Sequence, residues 1–126
     1  MSRHPVYVSL FAFFFLAGCG TASGGGPTID ANLLSLEQIS EEGPSNAYNI
    51  IQALRPTWFQ KRGPTSFENE GEIRVYLDGT SLGGLEALRG IHSDNIQSME
   101  FLDERKASFR FGPGHEQGVI LVTLKR

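Results

Sequence analysis

The stretch "GVILVTL", Gly118 to Leu124, is rich in β-branched residues and almost wholly apolar. That composition suits a central strand covered on both faces, because a half-exposed strand would alternate apolar with polar side chains. Gly112, Gly114 and Gly118, with Pro113, allow tight backbone on the way into it. Moving towards the N-terminus, "SMEFL", Ser98 to Leu102, reads as a second strand, and Asp103 to Phe111 mixes charge with Ala107, Phe109 and Phe111 as a short helix or turn would. From Glu72 the period is two: Ile73, Val75 and Leu77 alternate with Arg74, Tyr76 and Asp78, which predicts a strand with one buried face. Asp78-Gly79 is a turn signal. Gly83-Gly84 then precedes "LEALRGI", a short helix with Leu85, Leu88 and Ile91 inward, and Ser93 or Asp94 can cap a further turn. Alternating strands and helical turns predict an α+β (α/β-like) domain with a mixed sheet of about three to four strands and short crossover helices.

An added helical segment precedes these elements. Ser35-Leu36-Glu37-Gln38 has the form of a capping box opening a short helix that stops at Gly43-Pro44. Ser45 can cap a second helix, in which Ala47, Ile50, Ile51 and Leu54 share one face until Pro56 ends it at Arg55. Trp58 and Phe59 follow the break, then Lys61-Arg62-Gly63-Pro64. The two aromatics are expected to cover a core edge, partly exposed, and they are the candidate binding residues.

Read together, Val75 to Lys125 resembles the plug domain of TonB-dependent outer-membrane receptors. The shared features are a strand ending in Asp78-Gly79, a small helix, a strand carrying Ile96 and Met99-Glu100, an Ala107-Ser108-aromatic-x-aromatic-Gly112 turn and a closing Gly118-to-Lys125 strand. The resemblance spans fifty-one residues. It implies a plug-like fold and a habit of docking against another protein. Two departures lead us to expect no transport through a pore of its own: no barrel sequence follows Arg126, and no coupling box for TonB stands near the N-terminus.

The first residues read as a secretory signal, with Arg3 as the positive end and an apolar run from Val6 to Ala17. That run is short of the roughly 20 residues that a membrane-spanning helix needs. Its end, Leu16-Ala17-Gly18-Cys19, resembles the bacterial lipobox. The resemblance implies cleavage before Cys19 and acyl chains on Cys19, with Gly20 in the next position favouring the outer membrane. The alternative is an ordinary secreted protein cleaved near Ala22 or Ser23. Acyl chains stabilise membrane attachment by about 0.8 kcal/mol per buried methylene, so no spanning helix is needed. The expected organisation is a signal peptide over 1–18, a lipidated cysteine and small-residue tether over 19–28, and one globular domain over 29–126.

Cys19 is the one cysteine, so a mature chain lipidated there keeps no thiol for a disulfide, a metal or nucleophilic catalysis. Acids outnumber bases fourteen to eleven, which gives nucleic acid nothing to bind. His92 and His115 stand twenty-three positions apart without metal-ligand spacing and read as solvated loop residues, so neither metal nor cofactor is expected. Gly112-Pro113-Gly114 precedes a strand where a phosphate loop would precede a helix, and Ser81, Ser98 and Ser108 lack a nucleophile's setting. Glu68, Glu70 and Glu72 read as a solvated loop. The expectation is therefore a non-catalytic periplasmic interaction module, partnered with the membrane through Cys19 and with a receptor or other envelope protein. A small envelope enzyme using His92 or His115 with a carboxylate, and a purely structural lipoprotein, stay open as alternatives.

Overall fold

A computed structural model describes residues 29–61 and 71–126. The signal peptide, Cys19, the tether, Arg62-Gly63-Pro64, Glu68 and Glu70 lie outside these residues. The described chain forms a mixed five-stranded sheet with three α-helices and three short 3-10 turns, a small α+β domain. In chain order the strands are β1 (Leu33–Leu34), β2 (Arg74–Leu77), β3 (Thr80–Gly83), β4 (Ile96–Leu102) and β5 (Val119–Leu124). Across the sheet the order is β1-β4-β5-β2-β3. Central β5 runs parallel to β2 and antiparallel to β4.

The apolar run of β5 is explained by what covers it. Ile120 and Val122 face one core with Trp58, Val75, Met99 and Phe101, whereas Val119 and Leu121 face a second core with Tyr76, Leu102 and Ala107. Alternate side chains of a strand point to opposite faces, so a strand with two covers needs no polar positions. The first core lies under helices α1 (Leu36–Glu41) and α2 (Ala47–Leu54), and α3 (Glu104–Phe111) lies over the second. Tyr76, expected among the outward positions of β2, is accordingly buried: the ring of Phe111 stacks on it at 3.9 Å between centroids.

Two strands were not anticipated. β3 is a product of the Asp78-Gly79 turn, whose two residues both take positive φ (48° and 89°), the twist required of a two-residue hairpin loop. All four β3 residues are exposed, so no hydrophobic alternation announced it. β1, only Leu33–Leu34, pairs antiparallel with β4.

The caps follow local chemistry. Ser35 accepts from the Gln38 amide while the Gln38 side chain accepts from the Ser35 amide, the reciprocal box read from the sequence. The second helix starts one residue later than expected, with Asn46 as its cap accepting from the Asn49 amide at 2.9 Å. Ser45 is held instead by Ser93: its N–H donates to the Ser93 hydroxyl and its carbonyl accepts from the Ser93 amide. That bridge leaves Asn46 extended, the geometry a cap residue needs. Arg55 ends α2 immediately before Pro56. The "LEALRG" turn is 3-10 rather than α, with Leu88 fully buried and Ile91 inward beyond it.

Candidate functional site

Trp58 and Phe59 part company in the structure. Pro56 opens a 3-10 turn, Pro56–Phe59, that folds the chain back onto the sheet. Trp58 is thereby 1% exposed, its indole N–H donating to the Ala31 carbonyl at 3.0 Å and its ring 6.1 Å from that of Phe101. With its one polar atom satisfied, the indole can be wholly buried at no unpaired cost. The expected partly exposed anchor is therefore a core residue. Phe59 stays half-buried at the surface, stacked on Tyr48 at 4.8 Å.

Tyr48 extends the stack. The Arg89 guanidinium lies 3.7 Å from its ring centroid, and Arg89 Nε donates to Glu86 Oε2 at 2.7 Å. The ion pair is exposed and adds little by itself. The stack as a whole ties α2 to two 3-10 turns that follow it, Pro56–Phe59 and Leu85–Gly90, and leaves an aromatic and cationic surface. Tyr48 sits beside the Ala47–Ile50–Ile51 face of α2, and Arg89 is forty-one positions away. Local periodicity carries no signal for such a long-range pair.

The same helix borders a polar groove. About 390 Å3 of space is lined by Pro44, Ser45, Asn46, Asn49, His92, Ser93 and Asp94. Tyr48 and Asn49 are successive on α2, so groove and stack flank one helical turn. A smaller hollow shares Pro44, Ser93 and Asp94 and is completed by Ile39, Ser40, Gly43 and Lys125. His92 is exposed at the groove, as expected of a loop histidine.

His115 is not. It is 4% exposed, packed beside Tyr76 and Phe111 at 5.7 and 6.0 Å between ring centroids. Its Nδ1 is 2.8 Å from the Gly112 carbonyl, which can only accept, so Nδ1 carries the proton. In the neutral ring Nε2 then accepts from the Tyr76 hydroxyl, also at 2.8 Å. The solvated loop expected at this position is overturned because Gly112 and Gly114, at φ 89° and 95°, curl the chain until the ring points inward. The neighbouring Glu116 is exposed. His92 and His115 thus belong to different clusters. Among the described residues no group of three or more His, Cys, Asp and Glu could hold a metal ion, and no helix is long and apolar enough to cross a membrane.

No family model, curated protein or solved structure matches this chain.

Proposed function

We propose that the chain is a lipid-anchored protein of the bacterial outer membrane, held through acyl chains on Cys19, whose plug-like domain faces the periplasm as a non-catalytic interaction module. The observation that carries the binding reading is the Phe59–Tyr48–Arg89 stack beside the groove at the start of α2. Aromatic residues and arginine are enriched where proteins recognise one another, and they are held here in one fixed arrangement before any partner arrives. The plug-like reading is supported by the stretch from Val75 to Lys125, in which most of β2, a short 3-10 turn, β4 and β5 follow in the order the resemblance implies, with β3 additional to it. His115, with both ring nitrogens engaged, has a structural role that supports a module without catalysis.

A second reading has one observation in its favour. His92 and Asp94 line the same groove, as a small envelope enzyme using a histidine with a carboxylate would require. Crosslinking of the acylated protein in its native envelope separates the two. An interaction module loses its specific crosslinked partner in Phe59→Ser and Arg89→Ala, with the fold retained, and keeps it in His92→Ala. Crosslinks unchanged by both surface variants, together with an envelope activity lost in His92→Ala, would establish the enzyme instead.

A further inference from the structure

Helix α3 presents the most exposed large apolar side chain described, Phe109, at 95%. Its inward face is fixed by Ala107, fully buried, and by Phe111 stacked on Tyr76. Phe109 is two positions from Ala107, about 200° around the helix, and so points directly away from the sheet. Arg105, one turn earlier, shares that outward face, and Lys106 and Arg110 are exposed beside it. In a chain whose acids outnumber its bases fourteen to eleven, this eight-residue helix carries three bases and one acid, Glu104. The Asp103 carboxylate at its start is already engaged by the Lys106 amide at 2.9 Å.

The position of α3 in the fold adds a second observation. α3 begins at the end of β4, and β1 runs antiparallel to β4 with Leu33 opposite Glu100. The Phe101 amide donates to the Asn32 carbonyl at 2.9 Å. The chain N-terminal to Leu33 therefore reaches the end of the sheet where α3 starts and turns there, Asp30 to Leu33, against Arg55 and Trp58 on the opposite face. Ten residue steps separate Cys19 from Ile29, which reach at most about 35 Å.

We propose that the outward face of α3 docks on an anionic phospholipid surface, with Phe109 at the boundary between headgroups and acyl chains and Arg105, Lys106 and Arg110 against the phosphates. The nearness of that surface rests on the reading of Cys19 as lipidated; the recognition chemistry does not. Basic side chains are drawn to the phosphates of an anionic surface, and one exposed aromatic among them adds apolar area that the headgroup boundary can bury. Attachment at Cys19 makes the docking intramolecular, so the short helix engages the surface at lipid concentrations where a free protein needs vesicles in excess.

Phe109→Trp provides the measurement, because the chain's one tryptophan, Trp58, is buried and the wild-type protein gives its background. The acylated protein is reconstituted into phosphatidylcholine vesicles with or without phosphatidylglycerol, the acyl chains of either carrying bromine as a quencher. On vesicles with phosphatidylglycerol the variant is expected to shift its emission to the blue and lose most of it, with the emission restored by Arg105→Glu/Lys106→Glu. Raising salt from 0.1 to 1 M shortens screening from about 10 to 3 Å and should weaken the effect. Emission that stays red-shifted and unquenched on anionic vesicles overturns the proposal, as does a blue shift produced only by adding envelope proteins. If intact mass shows no acyl chains, the anchor reading fails separately. The unacylated protein with vesicles in excess then still gives quenching if α3 docks and none if it does not.

Discussion

Gly118 enters the central strand at φ +87°, and a Cβ there would stand 2.6 Å from the Leu102 carbonyl oxygen and 2.7 Å from Phe101 Cζ. Backbone conformation and space both exclude a side chain, and the obstructing atoms belong to β4, which cannot move without breaking its pairing with β5. Gly118→Ala is expected to cost more than about 2 kcal/mol in urea unfolding; a loss below about 0.5 kcal/mol would contradict the geometry. A glycine before this strand was legible as a need for tight backbone, but the atoms it makes room for are sixteen and seventeen positions away. The same distance hid the role of His115. Its loop setting suggested solvent, whereas the Tyr76 hydroxyl that completes its hydrogen bonding lies thirty-nine positions earlier. His115→Ala leaves that hydroxyl and the Gly112 carbonyl without their partner and is expected to cost about 1–3 kcal/mol. In a double-mutant cycle with Tyr76→Phe the losses should fall short of additive.

At the level of elements, those with a dense local signal were read correctly: the α1 capping box, the α2 apolar face stopped by Pro56, the Asp78-Gly79 turn and the closing strand. Those without one were missed. β3 has four exposed residues and exists because a hairpin turn returns the chain against β2. β1 is two residues held by β4. The turn after Pro56 carries two adjacent aromatics that read alike as partly exposed, and only one of them is buried. The Ala31 carbonyl decides which one is, by giving the Trp58 indole a partner. Trp58→Ala should therefore unfold more easily by about 3–5 kcal/mol, the cost of emptying a core site. Phe59→Ala removes a half-exposed ring and should lose about 1 kcal/mol. Equal losses in the two denaturation curves would mean that the turn does not divide them between core and surface.

On the scale of the whole molecule, the sheet's order places β5 at the centre, paired with both β2 and β4. Ile120 is fully buried between the sheet and the helical layer, so Ile120→Asp puts a carboxylate in an apolar core and should abolish the cooperative thermal transition. A small α+β fold of this kind was legible because the β-branched, apolar composition of β5 suits a doubly covered strand. The surface proposed for recognition was not, because Tyr48, Phe59 and Arg89 meet only after α2 and the two turns have packed. Both proposed roles, partner binding from the α2 side and lipid docking by α3, assume a domain held at a membrane through Cys19. The intact mass of the protein recovered from the membrane fraction tests this most directly. The expected result is a chain beginning at Cys19 and heavier than its sequence by a diacylglycerol with or without a further acyl group. A soluble chain beginning near Ala22 or Ser23, with no lipid mass, would contradict it.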